Sequence, residues 1–180
     1  RRQRQMCIRD SKAEYRIEQV GIDVESVPAG SEFLAEDGDY IRSAVSLNYV
    51  YDSRDSNMVP RRGHRLNLGA TLTGGILGGD VDTYTLSATG SKHWNLPWDL
   101  ILNMSGAVNV VDALSGEVPI FERQMLGGAR NLRGFDTRDV GPRDAATGSV
   151  LGGKTSAYGT VEMTFPIVGE VRGAVFGDLG

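Results

Sequence analysis

Five arginines (Arg123, Arg130, Arg133, Arg138 and Arg143) stand among four glycines between Phe121 and Asp144. A guanidinium is a planar fork of N–H donors that fits a carboxylate bidentately, so the chemistry this stretch offers is ion pairing and docking. The same stretch carries Phe121, Met125, Leu126, Leu132 and Phe135. Disordered segments seldom hold apolar side chains at that density. Loops of this length inside a compact β architecture are functional or disordered. The composition therefore points to an ordered loop that docks at a polar place. Its anchor is Arg133, at the centre of Leu132-Arg-Gly-Phe135. These residues alone leave open the plainer alternative, a surface arginine in a mobile loop.

Other chemistry is thinly represented. His64 and His93 are the only histidines, and no His, Cys and carboxylate cluster has metal-ligand spacing. Gly74-Gly-Ile-Leu-Gly-Gly79 is no phosphate loop, because no lysine and no helix follow it. Asp37-Gly-Asp39 and Asp80-Val-Asp82 lack the rest of a calcium ligand set and read as solvated acidic loops. No Gly-x-Ser-x-Gly elbow is present. The expectation is a chain with no catalytic residues, no metal and no cofactor.

The elements that must position the arginine loop alternate with period two. Leu66, Leu68, Ala70 and Leu72 oppose Arg65, Asn67, Gly69, Thr71 and Thr73. Residues 83–93 and 100–110 repeat the pattern, the second with Leu102, Met104, Gly106 and Val108 against Asn103, Ser105, Ala107 and Asn109. Such alternation predicts strands with one apolar and one polar face. Further strands are expected over 43–52, 155–165 and 170–178. In the last two, Glu162 falls with Ser156, Tyr158, Thr160 and Thr164, and Asp178 falls with Arg172, Ala174 and Phe176. A ragged strand over 15–24 changes apolar phase near Gln19, which suggests a bulge there. Short turns at 94–98 and 166–169 fall at one end of an up-and-down sheet. Long connections at 25–40 and 111–154 fall at the other.

Residues 1–11 resemble translated sequencing-adapter sequence at the end of an environmental gene fragment and are set aside from fold reasoning, leaving 12–180. Setting them aside removes four arginines, one aspartate and the single cysteine, so 15 basic residues face 22 acidic ones, net −7. A chain so acidic, with no basic face, argues against nucleic acid as a partner. No run is long enough for a membrane-spanning helix. That leaves a spanning β-barrel open, because alternation hides a barrel's apolar face from averaged scales.

Both a membrane barrel and a soluble antiparallel sandwich produce alternation. Three details favour the barrel. The apolar faces of 66–72, 84–90 and 100–110 carry no charge. The strands approach the ~9–11 residues that a tilted strand needs to cross hydrocarbon. Tyr49, Tyr51, Trp94, Trp98 and Phe165 sit near strand ends, as in interfacial girdles.

Four motifs then carry a resemblance. Gly127-Gly-Ala-Arg-Asn-Leu-Arg-Gly-Phe135 with Gly141-Pro142 resembles the loop motif of the bacterial surface antigen family. Tyr51-Asp-Ser-Arg-Asp-Ser56 with Pro60-Arg-Arg-Gly63 is similar to a second. Gly152-Gly153 leading into the strand of Glu162 matches a third, and Val175-Phe-Gly-Asp-Leu-Gly180 a fourth. They come in the family's order and spacing across residues 13–180. The family includes the central barrel of the outer-membrane β-barrel assembly machinery.

The resemblance implies a transmembrane antiparallel β-barrel of about sixteen strands, preceded by periplasmic peptide-binding repeats, of which this chain holds about seven strands as an internal piece. It implies that the long loop folds into the lumen, where Arg133 meets carboxylates on the wall, here Glu162 and Asp178. Gly134 would let the backbone turn, and Phe135 would wedge against the wall. The implied function is folding and insertion of β-barrel proteins at the bacterial outer membrane. The implied partners are the lipid bilayer, unfolded outer-membrane proteins as clients, and periplasmic accessory proteins. An exporting barrel of the two-partner secretion type and a soluble sandwich acting as a binding module are the alternatives.

Overall fold

The structure, a computed structural model, describes residues 7–24 and 27–180. Seven strands form one antiparallel sheet in sequence order: β1 (Ile8–Ile22), β2 (Gly38–Asp52), β3 (Gly63–Thr73), β4 (Thr83–Asn95), β5 (Ile101–Ala113), β6 (Thr155–Val168) and β7 (Val171–Leu179). Every strand pairs with its sequence neighbour, and β1 and β7 do not pair with each other. The connections sort by end. Residues 27–37, 74–82 and 114–154 lie at one end, and residues 53–62, 96–100 and 169–170 at the other.

Register turns the alternation of single strands into a continuous surface. Leu47, Ala70, Leu86 and Val110 share one row, and Tyr49, Leu68, Ala88, Val108 and Ala157 share the next. This outer face is uncovered. Leu47, Leu68, Leu86 and Val108 are each about half exposed, which is how a lipid-facing wall looks without its lipid. The first charge on the outer face of β4 is Lys92. Its ammonium lies 5.0 Å over the Trp94 ring, drawn toward the short-turn end as a lysine at a membrane boundary would be.

The buried apolar residues lie on the opposite, inner face. Val111, Val118, Ile120, Leu126, Leu132 and Leu151 are at most 9% exposed. All but Val111 belong to the 114–154 connection. The core is thus sandwiched between the inner wall and the long loop.

The first two strands differ from the sequence reading. β2 begins at Gly38 and β1 at Ile8, so the first pair of strands is longer than alternation suggested. Of the segment read as foreign, residues 1–6 fall outside the described residues, while residues 8–11 pair with residues 49–52 of β2. The expected bulge near Gln19 is absent. Glu18, Gln19 and Val20 pair in unbroken register with Arg42, Ile41 and Tyr40. The phase change has another cause. β2 meets β3 only from Ala44 onward, so this end of the β1–β2 ribbon stands beyond its neighbours. There the shelter lies on the loop-covered inner side, and Val20 and Ile22 are less exposed than Gln19 and Gly21. A register shift does occur, between Pro166 and Val168, where proline cannot donate to the ladder.

Candidate functional site: an arginine latch on the inner wall

The β6–β7 register builds the receiving surface. Thr160 stands opposite Asp178, and Glu162 stands opposite Phe176, so four inward residues occupy two adjacent rows. Arg133 comes down on this patch from the loop. Its Nε donates to Asp178 Oδ2 at 2.8 Å and its Nη2 to Asp178 Oδ1 at 2.8 Å, a bidentate fork. Nη1 donates to Glu162 Oε2 at 2.9 Å. The backbone N–H of Arg133 adds a fourth donor to Asp178 at 3.1 Å. Thr160 Oγ1 donates to Asp178 Oδ1 at 2.8 Å and so fixes that carboxylate from its own side.

Phe176 completes the site, with the Arg133 Cζ lying 3.3 Å from its ring centroid. A guanidinium over an aromatic face gains quadrupole attraction while its edges remain free for hydrogen bonds. The Asp178 side chain is 4% exposed, against 26% for Arg133 and 30% for Glu162. Asp178 is therefore the buried member that most needs its partners.

The loop is shaped for this delivery. Leu132 is 6% exposed and packs inward beside the arginine. Gly134 has φ +92°, a left-handed conformation that glycine adopts readily. The chain turns there. Phe135, expected to wedge against the wall, follows this turn. It is 54% exposed, and its carbonyl accepts from Gly128 N–H at 3.1 Å. The other four arginines go elsewhere. Arg123 donates to the Val118 carbonyl at 3.0 Å and to Glu32 at 3.5 Å. Arg143 pairs with Asp139 at 2.8 Å, Arg138 reaches the Met125 sulfur, and Arg130 is exposed.

A second set of contacts was not read from the sequence. Asp144, 3% exposed, accepts from the Ser31 hydroxyl at 2.9 Å, from Glu32 N–H at 3.3 Å and from the Thr147 hydroxyl at 2.6 Å. These hydrogen bonds, led by that from Thr147, hold its carboxyl down at about 2. Arg42 is paired with both Glu122 and Glu18. Glu36 accepts from Ile120 N–H at 3.1 Å, and the Tyr40 and Phe121 rings meet at 5.5 Å. The β1–β2 connection thus grips both limbs of the long loop. Only Phe176 had a usable signal, since it shares the inward phase of Asp178. The Ser31–Asp144 pair, 113 positions apart, had none.

Comparison with known proteins gives the same architecture. The chain is 29% identical over 127 residues to the outer membrane protein assembly factor BamA of Nitratidesulfovibrio vulgaris, covering 70% of this chain and 16% of that protein. It is 32% identical over 148 residues to the sorting and assembly machinery component 50 homolog B of Xenopus laevis, covering 80% of this chain and 30% of the relative. The chain spans less than a third of either relative. Among solved structures, BamA from Haemophilus ducreyi lacking POTRA domains 1–3 superposes with a TM-score of 0.66 at 16% identity. That likeness of fold covers 99% of this chain and 42% of the other. The Omp85 superfamily domain matches residues 5–180, and the chain belongs to that family.

Proposed function

We propose that this chain is a segment of an outer-membrane β-barrel that folds and inserts other β-barrel proteins into the bacterial outer membrane. The observation that carries the reading is the docking of the long loop by Arg133 on Asp178, Glu162 and Phe176, in a chain whose relatives are named as assembly factors. The reading is non-enzymatic. The segment supplies a lipid-facing wall, and the loop braces that wall from inside as a structural latch. Clients are unfolded outer-membrane proteins, and the remaining partners are the bilayer and periplasmic accessory proteins.

The test uses the full-length protein in proteoliposomes, with folding of a β-barrel client as the readout. Arg133→Ala slows client folding and exposes the loop to protease. Arg133→Glu with Glu162→Arg does not restore function, because Asp178, which takes most of the contacts, would then face a carboxylate. Unchanged folding and unchanged loop protection in Arg133→Ala would sink the reading.

A further inference from the structure

The long connection is two lobes joined at a neck. The neck is one bridge: Leu126 N–H donates to the Val140 carbonyl at 3.0 Å, and Val140 N–H returns to the Leu126 carbonyl at 2.9 Å. Inside it, residues 127–139 form an inner lobe with its own turns, in which Gly128 N–H reaches the carbonyls of Leu132 and Phe135. Its polar hold on the sheet wall is Arg133, with Leu132 packed beside it.

Beyond the neck, residues 143–150 form an outer lobe closed by the Arg143–Val150 bridge and by Asp144 N–H donating to the Ser149 carbonyl at 2.8 Å. This lobe is fastened by Asp144 to Ser31 and Glu32 of the β1–β2 connection. The incoming limb is fastened to the same ribbon by Glu122 to Arg42 and by Ile120 to Glu36. A third bridge, Gln124 to Gly153, ties the two limbs together below the neck.

The two anchorages share no residue. Asp178, Glu162, Thr160 and Phe176 on β6 and β7 hold the inner lobe. Ser31, Glu32, Glu36 and Arg42 hold the limbs and the outer lobe. Arg143 crosses the neck to the Asp139 carboxylate and carbonyl, each at 2.8 Å, and Arg138 reaches the Met125 sulfur at 3.4 Å. Arg143 and Asp139 are 48% and 46% exposed, so their ion pair contributes little. Gly127 sits at the neck with φ +113°, and a Cβ there would come 2.2 Å from the Asp136 carbonyl. Only glycine serves at that position, and it is free to rotate when the lobe lifts.

We propose that the loop is a hinged device. The inner lobe, residues 127–139, swings off the wall about the Leu126–Val140 neck, while the outer lobe stays clasped to the β1–β2 connection. Undocking Arg133 then frees the lumen face of β6 and β7 without opening the loop-covered end of the sheet.

The loop carries its own reporters, because trypsin cleaves after arginine. Arg130 and Arg138 lie in the inner lobe, and Arg123 and Arg143 lie in the clasped part. The test is limited trypsinolysis of the full-length protein in detergent, with sites read by mass spectrometry and the intact barrel verified by heat-modifiable gel mobility. Arg133→Ala raises cleavage after Arg130 and Arg138 about tenfold or more, and leaves Arg123 and Arg143 within about twofold of wild type, since cleavage tracks local opening. Asp144→Asn with Ser31→Ala does the reverse, raising cleavage after Arg143 while cleavage after Arg130 stays at the wild-type level. If either variant opens all four sites together, the loop moves as one body and the hinge is wrong. If Arg133→Ala opens none, the latch does not hold the lobe and the proposal also fails. Should Arg133→Ala lose the barrel's mobility shift, the Asp144 variant decides alone. The readout is independent of client folding, so this inference and the assembly function can fail separately.

Discussion

At the scale of the residue, the latch joins two kinds of interaction that separate experiments can part. Asp178→Asn keeps shape but removes charge from a site receiving two guanidinium donors and a backbone N–H. It costs about 1.5–3 kcal/mol of lobe docking, the range for hydrogen bonds to charged groups. Phe176→Ala removes the ring under the guanidinium and costs less, about 0.5–2 kcal/mol. Hydrogen exchange over residues 127–139 in the full-length protein would rank the two. An equal or larger effect for Phe176→Ala would contradict a latch dominated by the carboxylate. The clasp has its own signature. The Asp144 carboxyl is depressed from 3.8 to about 2 in the folded loop. A depressed carboxylate stabilises above its unfolded value and loses that contribution as pH falls through its folded value. The clasp therefore holds fully at pH 5 and weakens between 3.8 and about 2. Exchange in residues 143–150, corrected for intrinsic rates, should rise across that acid window in wild type. In Asp144→Asn it should already be raised at pH 5.

At the scale of the element, each strand keeps two chemistries apart, and β4 shows how strictly. Leu86 lies on the uncovered outer face and Thr89 on the inner face, three residues along the same strand. Leu86→Arg places a cation against hydrocarbon and costs ~2–4 kcal/mol if the position is near the bilayer midplane. Thr89→Arg places the same cation on the polar face and is tolerated. Denaturant unfolding of the two variants in vesicles measures the difference. Comparable losses would mean that the outer face does not meet lipid. The alternation that predicted this was read correctly on β3 to β6. It misled on β1, where Val20 and Ile22 turn inward because the β1–β2 ribbon outruns β3 and its shelter moves to the loop side. A single strand's pattern reports where apolar cover is, and that cover is a property of neighbours.

At the scale of the whole molecule, one sheet carries an apolar exterior, a polar interior and a long connection packed onto that interior. Exposed apolar rows on this scale need a matching solvent. The full-length protein should therefore sediment with membranes, resist high salt and carbonate, and enter solution only with detergent. A water-soluble monomer would contradict the barrel. The two ends of the sheet also differ in character. The short-turn end is trimmed by ion pairs such as Arg172 to Asp99, at 2.6 Å. The other end is covered by an interlocked pair of connections.

The sequence by itself determined the outward and inward phases of β3 to β6, the sorting of connections by end, and the inward address of Glu162 and Asp178. These follow from period-two spacing, which is local and survives without neighbours. The four ordered motifs determined the family. Tertiary structure decided the rest. It decided that β1 carries no bulge, and that Phe135 stays 54% exposed beside the turn at Gly134. It decided that Phe176 lies under the guanidinium, and that Ser31 meets Asp144 across the loop-covered end of the sheet. Such contacts join residues far apart in the chain, and no spacing rule encodes which distant partner a loop residue will find. The register of seven strands fixes those partners, by fixing where each connection must land.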